Sequence, residues 1–446
     1  MKIIIAGAGE VGYHLAKQLS NEEHDISVID INGSQLERTD AVSDVLTITG
    51  SSTNIATLNS ANIKDTDLIV AVTSLESVNI NTAILAKKLG AKRTIARVSN
   101  AEYTEPENKE LFRSLGIDEL IYPEELAALE VEKLIERAAA TDVLEFGDGK
   151  ISLLGLKIDS NAPIGRKSLE EISSMHTEHD FRIVAIHRGM RTIIPCGKDL
   201  VMPNDQIFAI STPAGIEEII KLAGKDHSKI ENIMILGGGK IGRKTAKLIE
   251  DTVNVKLIES NKDKSIDLAD YLQKALIIQG DGRDLDLLAQ EGIVDMDGFI
   301  AVTDDAETNI ITCLMAKHLG VKKTIALIDN VDYIPLTQTI GLDSLINNKL
   351  IAANNISRFI KKANIVSLVT LQGIDAVVLE YEANPKSPVT KKPVKDIKFP
   401  ENAIIGGLIR NGEGYITVGD TQIMENDKVV VFALPASISK VEKLFQ

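Results

Sequence analysis

The chain repeats itself at a fixed distance, and that fact limits its fold more than any other. Gly7, Gly9 and Gly12 in KIIIAGAGEVG recur as Gly237, Gly239 and Gly242 in NIMILGGGKIG, an offset of 230. The same offset carries Ala71-Val72-Thr73 onto Ala301-Val302-Thr303 and Asn79-Ile80 onto Asn309-Ile310. It also carries Thr94-Ile95-Ala96 onto Thr324-Ile325-Ala326 and Tyr103 onto Tyr333. One offset sustained through so many short matches marks a duplication, and each copy must fold as a unit of its own.

Within a copy, short apolar runs alternate with amphipathic stretches. In the first, IIIAG, DISVID, VLTITG, DLIVAVT and RTIARV read as strands, and Val11–Ser20, Ser34–Thr39, Asn54–Ala61 and Val78–Leu89 read as helices between them. Continuous Ile/Val runs belong to strands covered on both faces, so the expected sheet is parallel and doubly wound, a Rossmann-like α/β domain. Glu124–Glu136 is a strong helix that should cross out of the unit. Each copy is then followed by a β-rich segment of a different kind: KISLLGLKI, FRIVAIHRG and DQIFAIS in the first, and VSLVTL, DAVVLEYE, NAIIGGLIRNGEGYITVG and DKVVVFAL in the second. Met202-Pro-Asn-Asp205 is echoed by Met424-Glu-Asn-Asp427. The expected order is nucleotide fold over 1–138, small α+β module over 141–224, nucleotide fold over 230–361 and small module over 364–446.

Glycines at this spacing have separate tasks. The first permits a tight strand-to-helix turn, the second lets backbone approach a diphosphate, and the third lets the helix pack close to the strand, with its amino end facing the phosphates. Both loops follow an apolar run and open a helix, which is the context the motif requires. An acid closes the second strand of each copy, Asp30 in SVIDIN and Glu259 in KLIESN, placed to accept hydrogen bonds from ribose hydroxyls; it favours NAD over NADP, whose 2′-phosphate it would repel. At the end of the third strand, Asp281 in QGDGR can accept from an adenine amino group, whereas its counterpart Ser51 can hydrogen-bond without charge. Arg97 ends the fifth strand of copy one and can pair with a phosphate; its counterpart is Leu327. The copies have diverged, so their ligands or affinities should differ.

Composition narrows the function classes. With 446 residues the chain exceeds one core, and its formal charge of −15 disfavours nucleic acid as a partner. No apolar run reaches the ~18 residues that cross a bilayer, and Met1 leads straight into a strand, so a cytosolic location is expected. Cys196 and Cys313 have no metal or redox spacing and read as buried small hydrophobes. His176 and His179 lie near Glu178 and Asp180, yet no third ligand follows at a site-like spacing and the segment reads as a polar loop. No nucleophile elbow, P-loop or zincin motif occurs, and no proton donor stands out beside either glycine loop. No catalytic residue or metal ligand is assigned: the nucleotides should be read, not consumed.

These residues carry a family likeness. The paired MKIIIAGAGEVG and IMILGGGKIG openings, the acids Asp30 and Glu259, QGDGRD, the AVTxxxxxN segments, TIARVSNAEY and the two trailing modules resemble the TrkA family of Trk-system potassium-uptake regulators, built from tandem RCK (TrkA-N and TrkA-C) domains. The resemblance spans essentially the whole chain. It implies a non-enzymatic, cytoplasmic, tetrameric ring, peripheral on the inner face of the membrane, docked beneath a TrkH-type K⁺-translocating subunit. It also implies NAD(H), or ATP and ADP, as ligands. Carried over by residue, site one would comprise Gly7, Ala8, Gly9, Glu10, Val11, Gly12, Asp30, Ser51, Thr73 and Arg97. Site two would comprise Gly237, Gly239, Lys240, Ile241, Gly242, Glu259, Asp281 and Thr303. Ser51, where an acid is common, and Leu327 depart from the family pattern. An NAD-dependent oxidoreductase with an atypical substrate domain, and a sensor serving some other transporter, stay open as alternatives.

Overall fold

A computed structural model describes residues 1–20, 24–41, 44–175, 180–189, 191–225, 230–334, 340–360, 365–371, 374 and 376–446. The chain divides into two compact units, 1–127 with 347–360 and 128–346 with 361–446.

The first unit is built on a six-stranded parallel sheet ordered β3-β2-β1-β4-β5-β6, where β1 is Lys2–Ala6, β2 Asp25–Asp30, β3 Leu46–Thr49, β4 Leu68–Ala71, β5 Arg93–Arg97 and β6 Glu119–Ile121. The order reverses at β1/β4, the switch point at which a doubly wound sheet opens a crevice beyond its carboxyl ends. β6 was not legible in the sequence, because three residues are too few to show a period. One helix, Asn348–Ile360, comes from far along the chain: Ala352 and Ile356 are buried with Leu15 and Leu19 of helix Glu10–Ser20, and Ser357 Oγ donates to Gln18 Oε1 at 3.1 Å. Helix Pro123–Glu136 starts in this unit and finishes in the second.

The second unit repeats the parallel sheet as β14-β13-β12-β15-β16-β17: β12 Asn232–Leu236, β13 Asn254–Glu259, β14 Leu276–Gln279, β15 Gly298–Ala301, β16 Lys323–Leu327 and β17 Ser344–Ile346. It also holds both small modules. The first is the antiparallel sheet β10-β9-β11-β8-β7, with β7 Asp142–Phe146, β8 Ile151–Lys157, β9 Phe181–Arg188, β10 Arg191–Ile193 and β11 Gln206–Ser211. The second is β18-β19-β22-β20-β21, with β18 Ile365–Thr370, β19 Val377–Glu382, β20 Ala403–Arg410, β21 Glu413–Ile416 and β22 Lys428–Ala433. Taken strand by strand the two orders coincide, so the loose sequence echo reflects one shared topology.

Period two explains how the modules pack. Val377, Leu379, Tyr381, Val429, Val431 and Ala433 point to a core closed by helix Ile438–Phe445, where the Tyr381 and Phe445 rings stack with centroids 4.4 Å apart. The alternate residues Val378, Val430 and Phe432 point the other way and meet Leu153, Val184, Phe208 and Ile210 of the first module. The two small sheets thus share a core. A Cβ on Gly406 would collide with Ile210, so the close approach requires glycine there.

Of the two cysteines, Cys313 is buried as expected and burial pushes its thiol pKa up. Cys196 corrects the expectation: it is exposed, and its N–H and Sγ both donate to Asp199 Oδ2, at 2.7 and 3.1 Å. A polar loop with its own hydrogen-bond partner needs no apolar burial. The His176/His179 pair lies outside the described residues.

Candidate functional site

The crevice of each parallel sheet begins at its glycine turn. Gly7 has φ +111°, and a Cβ there would lie 2.9 Å from the Thr73 nitrogen. Gly12 sits on the turn so closely that a Cβ would overlap the Gly7 carbonyl oxygen. Gly9 differs: its Cβ position has no heavy atom of the described residues within 4 Å. Copy two repeats each feature, with φ +104° at Gly237, Gly242 against the Gly237 oxygen, and open space at Gly239. The first intrahelical bonds run from Tyr13 N to Gly9 O and from Arg243 N to Gly239 O, both in the 2.8–3.0 Å range. The amides of Glu10, Val11 and Gly12, and of Lys240, Ile241 and Gly242, therefore precede the helical ladder, and the positive end of the helix dipole stands at the opening. The Val11 and Ile241 side chains go to the core, so these residues offer backbone alone.

The two acids have a first duty that the sequence did not reveal. Asp30 Oδ2 accepts from Ala8 N at 2.6 Å and Oδ1 from Asn32 N at 2.8 Å. Glu259 Oε2 accepts from Gly238 N at 3.0 Å, and Oε1 from Asn261 N at 2.8 Å. Each carboxylate staples the glycine loop to the end of the second strand, and its remaining lone pairs are what it can offer a ribose. Gly238 stands where copy one has Ala8: a Cβ at 238 would collide with Leu268 and lie 3.0 Å from Glu259 Oε2.

Thr73 and Thr303 belong to a clamp centred on a buried asparagine. Asn79 Oδ1 accepts from Thr73 N (2.8 Å) and Oγ1 (2.7 Å), while Nδ2 donates to the carbonyls of Thr73 (3.0 Å) and Arg97 (2.9 Å). Asn309 makes the same four bonds to Thr303 and to Leu327 O, at 2.7–3.0 Å. The AVTxxxxxN spacing places Asn on the helix after β4, facing back to the carboxyl ends of β4 and β5. It ties the glycine turn, through Thr73 or Thr303, to the fifth strand.

The copies differ in charge around this common frame. Ser51 Oγ accepts from Thr53 N at 3.3 Å, and Asp281 Oδ1 likewise accepts from Arg283 N at 3.0 Å. The Asp281 carboxylate is further gripped by the Arg283 guanidinium, at 2.7 Å from Nη2 to Oδ2; that bond, with the Arg283 N–H, holds its pKa below the usual carboxylate range. Asp281, expected to accept from an adenine amino group, thus already has a protein partner. Glu10 occupies the position of Lys240. Burial works to raise its pKa, but hydrogen bonding to Arg38 and that residue's charge prevail and lower it. The Arg38 guanidinium in turn lies 4.2 Å over the Tyr13 ring. Arg97 is half-buried one residue beyond the row Ala6–Ala71–Ala96, and its guanidinium has no partner among the described residues; Leu327 is buried.

In the first unit, the loop, Asp30, Ser51, Thr73 and Arg97 all come to the carboxyl edge of one sheet, and in the second the loop, Glu259, Asp281 and Thr303 do the same. Asn79, Asn309, Arg38 and Arg283 complete these edges. Of those, the asparagines left a sequence signal in their repeat at one offset. The arginines left none, because their partners are chosen by tertiary contact. Among the described residues, no group of three or more His, Cys, Asp or Glu could hold a metal ion, and no helix is long and apolar enough to cross a membrane.

Comparison with known proteins agrees with this geometry. The TrkA-N domain family matches residues 3–123 and 233–348, and the TrkA-C domain family matches 153–224 and 378–446. The Trk system potassium uptake protein TrkA homolog 1 of Methanosarcina mazei is 36% identical, with both chains covered in full. The Trk system potassium uptake protein TrkA of Vibrio alginolyticus is 33% identical over 100% of this chain and 99% of its own. Among solved structures, the GsuK RCK domain has a TM-score of 0.59 at 18% identity, covering 100% of this chain and 94% of that one. The GsuK channel bound to NAD has a TM-score of 0.60 at 18% identity, covering 100% and 78%. Fold and site together define a tandem TrkA-N and TrkA-C protein, in which a glycine-turn Rossmann sheet and a small antiparallel module each occur twice. The chain belongs to the TrkA family of Trk-system potassium uptake proteins.

Proposed function

We propose that this chain is a nucleotide-sensing regulatory subunit of a membrane potassium-uptake system and has no catalytic role. NAD(H), or ATP and ADP, occupies the two carboxyl-edge crevices, with the residues of sites one and two as named above. Four chains form a ring on the cytoplasmic face of the membrane beneath a TrkH-type subunit, and nucleotide exchange changes the ring's shape and so gates K⁺ flow. The observation that carries this reading is the pair of open positions at Gly9 and Gly239. Each faces unoccupied space beside helix-initial amides, while the flanking glycines are packed tight against the protein itself. The helix-initial amides are thus open to the approach of a phosphate group. The relatives' names support a role in potassium uptake, and the NAD in a GsuK channel structure supports the ligand class. The acids Asp30 and Glu259 favour NAD over NADP.

A ligand shifts a two-state assembly only by its differential affinity, with a coupling of about 1–3 kcal/mol in typical cases. The unequal charges of the two sites, Glu10 and Arg97 against Lys240 and Leu327, give each its own ligand preference. Calorimetric titration of the purified protein with NADH, NAD, ATP and ADP tests this, repeated with Gly9→Trp and Gly239→Trp. At each position a Cβ meets no heavy atom of the described residues within 4 Å, so the bulky side chain starts from open space. Separate loss of separate ligands is expected; undisturbed binding in both variants would sink the assignment. Capture of a multi-spanning K⁺ subunit from membranes, with no turnover of NADH, would set the regulatory reading apart from an oxidoreductase.

A further inference from the structure

The second unit holds a charged cavity of about 410 Å³ at the amino edge of its parallel sheet, the edge opposite Gly237. Its floor is formed by Asp297 ahead of β15, Lys322 and Lys323 at the start of β16, and Asp343 ahead of β17. Lys157 and Asp159 at the end of β8, with Lys225 beyond helix Ile216–Leu222, close it from the side of the first small module.

Five ammonium groups, Lys317 included, meet three carboxylates here. Three of the lysines are matched: Lys225 to Asp159 at 2.5 Å, Lys322 to Asp297 at 3.6 Å, and Lys317 to Asp343. Two are not. Lys157 has no hydrogen-bond or ion-pair partner among the described residues. Lys323 is buried and donates to neutral oxygens, Ala140 O and Ser344 Oγ. Burial lowers the Lys323 pKa to about 8 even though Asp343 and Asp142 act to raise it, so its charged form is short of negative partners.

The first parallel sheet provides an internal control. Its amino edge carries the corresponding pairs, Lys92 with Asp67 at 2.7 Å and Lys87 with Asp118 at 2.8 Å, so those pairs are part of the fold. Arg93, at the position of Lys323, donates to Phe359 O. What the second sheet adds is a partly enclosed space with two lysines, Lys157 and Lys323, that have no carboxylate in direct contact among the described residues.

We propose that this cavity binds a compact phosphate-bearing dianion, with Lys157 and Lys323 as its direct ligands. The volume suits a small metabolite, and two ammonium groups in a partly enclosed space attract a doubly charged group far more than they do in open water. Bound there, the anion bridges the first small module and the second parallel sheet, giving the protein an input independent of the glycine loops.

The test uses the full chain carrying both Gly9→Trp and Gly239→Trp, so that failure here and failure of the nucleotide assignment are distinct. Inorganic phosphate, pyrophosphate, AMP and adenosine are titrated by calorimetry. Saturable binding of the phosphate-bearing probes, absent for adenosine, is expected, as is weakening with added salt. AMP binding that inorganic phosphate displaces shows that the phosphate group is what is recognised. Lys157→Met, at an exposed position, should weaken binding by about tenfold or more, and Lys157→Glu should abolish it. No saturation below about 10 mM, equal binding of adenosine, or affinity unchanged in both Lys157 variants overturns the proposal.

Discussion

From Gly7 to Gly9 and from Gly237 to Gly239 the two turns differ by a single methyl group. Copy one carries Ala8 beside the shorter Asp30, and copy two carries Gly238 beside the longer Glu259, where Leu268 takes the space a methyl would need and the Glu259 carboxylate crowds it. Gly238→Ala should therefore destabilise the second loop by about 1–3 kcal/mol through overpacking. Ala8→Gly should cost about 1 kcal/mol or less. Thermal unfolding of the two variants checks the asymmetry. The asparagine clamps make a second residue-scale case. Each satisfies four polar groups in a buried setting, so Asn309→Ala strands donors and acceptors at the ends of β15 and β16. A loss of about 3 kcal/mol is expected, together with faster amide exchange at Thr303 and around Gly237. The offset of 230 made Asn79 and Asn309 visible in the sequence. Their role was not, because the hydrogen bonds cross from a helix to two strand ends.

At the scale of elements, the repeated Met-x-Asn-Asp in the small modules proves to be half of a staple. Arg188 Nε and Nη2 donate to the two oxygens of Asp205 at 2.8 and 2.7 Å, and Arg410 pairs with Asp427 in the same way at 2.9 and 2.6 Å. Both aspartates are buried and also accept from the Met202 and Met424 amides, fixing the turn into the last strand. The Arg188 side chain is 45% exposed and Arg410 27%, so solvent screens the first pair more. Asp427→Ala should cost about 3 kcal/mol and Asp205→Ala about 1–2 kcal/mol. Urea titration of each variant measures the difference, and equal losses would count against a screening origin. The five strands named in the first parallel sheet were legible because buried parallel strands are continuous apolar runs. β6, β7, β10 and β17 were not read, since short strands with mixed composition acquire their meaning from a neighbour.

Across the whole molecule, duplication works at two levels. The parallel sheets recur with the same strand order and the same carboxyl-edge frame, yet each is furnished with different charges. The small modules recur with the same strand order and pack their sheets on a shared core within the second unit. At Gly406 a Cβ would meet Ile210 of the other module. Gly406→Val should weaken that packing by about 1–3 kcal/mol, seen as faster amide exchange in β9, β11 and β20 while β12–β16 stay protected. Exchange that rises equally in the parallel sheet would mean that the shared core is not a separable feature.

By itself the sequence determined the fold class, the tandem order and the position of both glycine turns, since periodicity, spacing and a repeated offset are properties of a line of residues. Membership of the TrkA family followed from the same local patterns. Tertiary structure alone decided that Asp30 and Glu259 hold their own loops, that Asn79 and Asn309 bind two strand ends, and that a distant helix joins the first sheet's unit. It also decided that lysines from a small module and a parallel sheet enclose one charged cavity. Those outcomes depend on which side chains meet across space, and a charge or hydrogen bond acquires its partner only when the chain has closed around it.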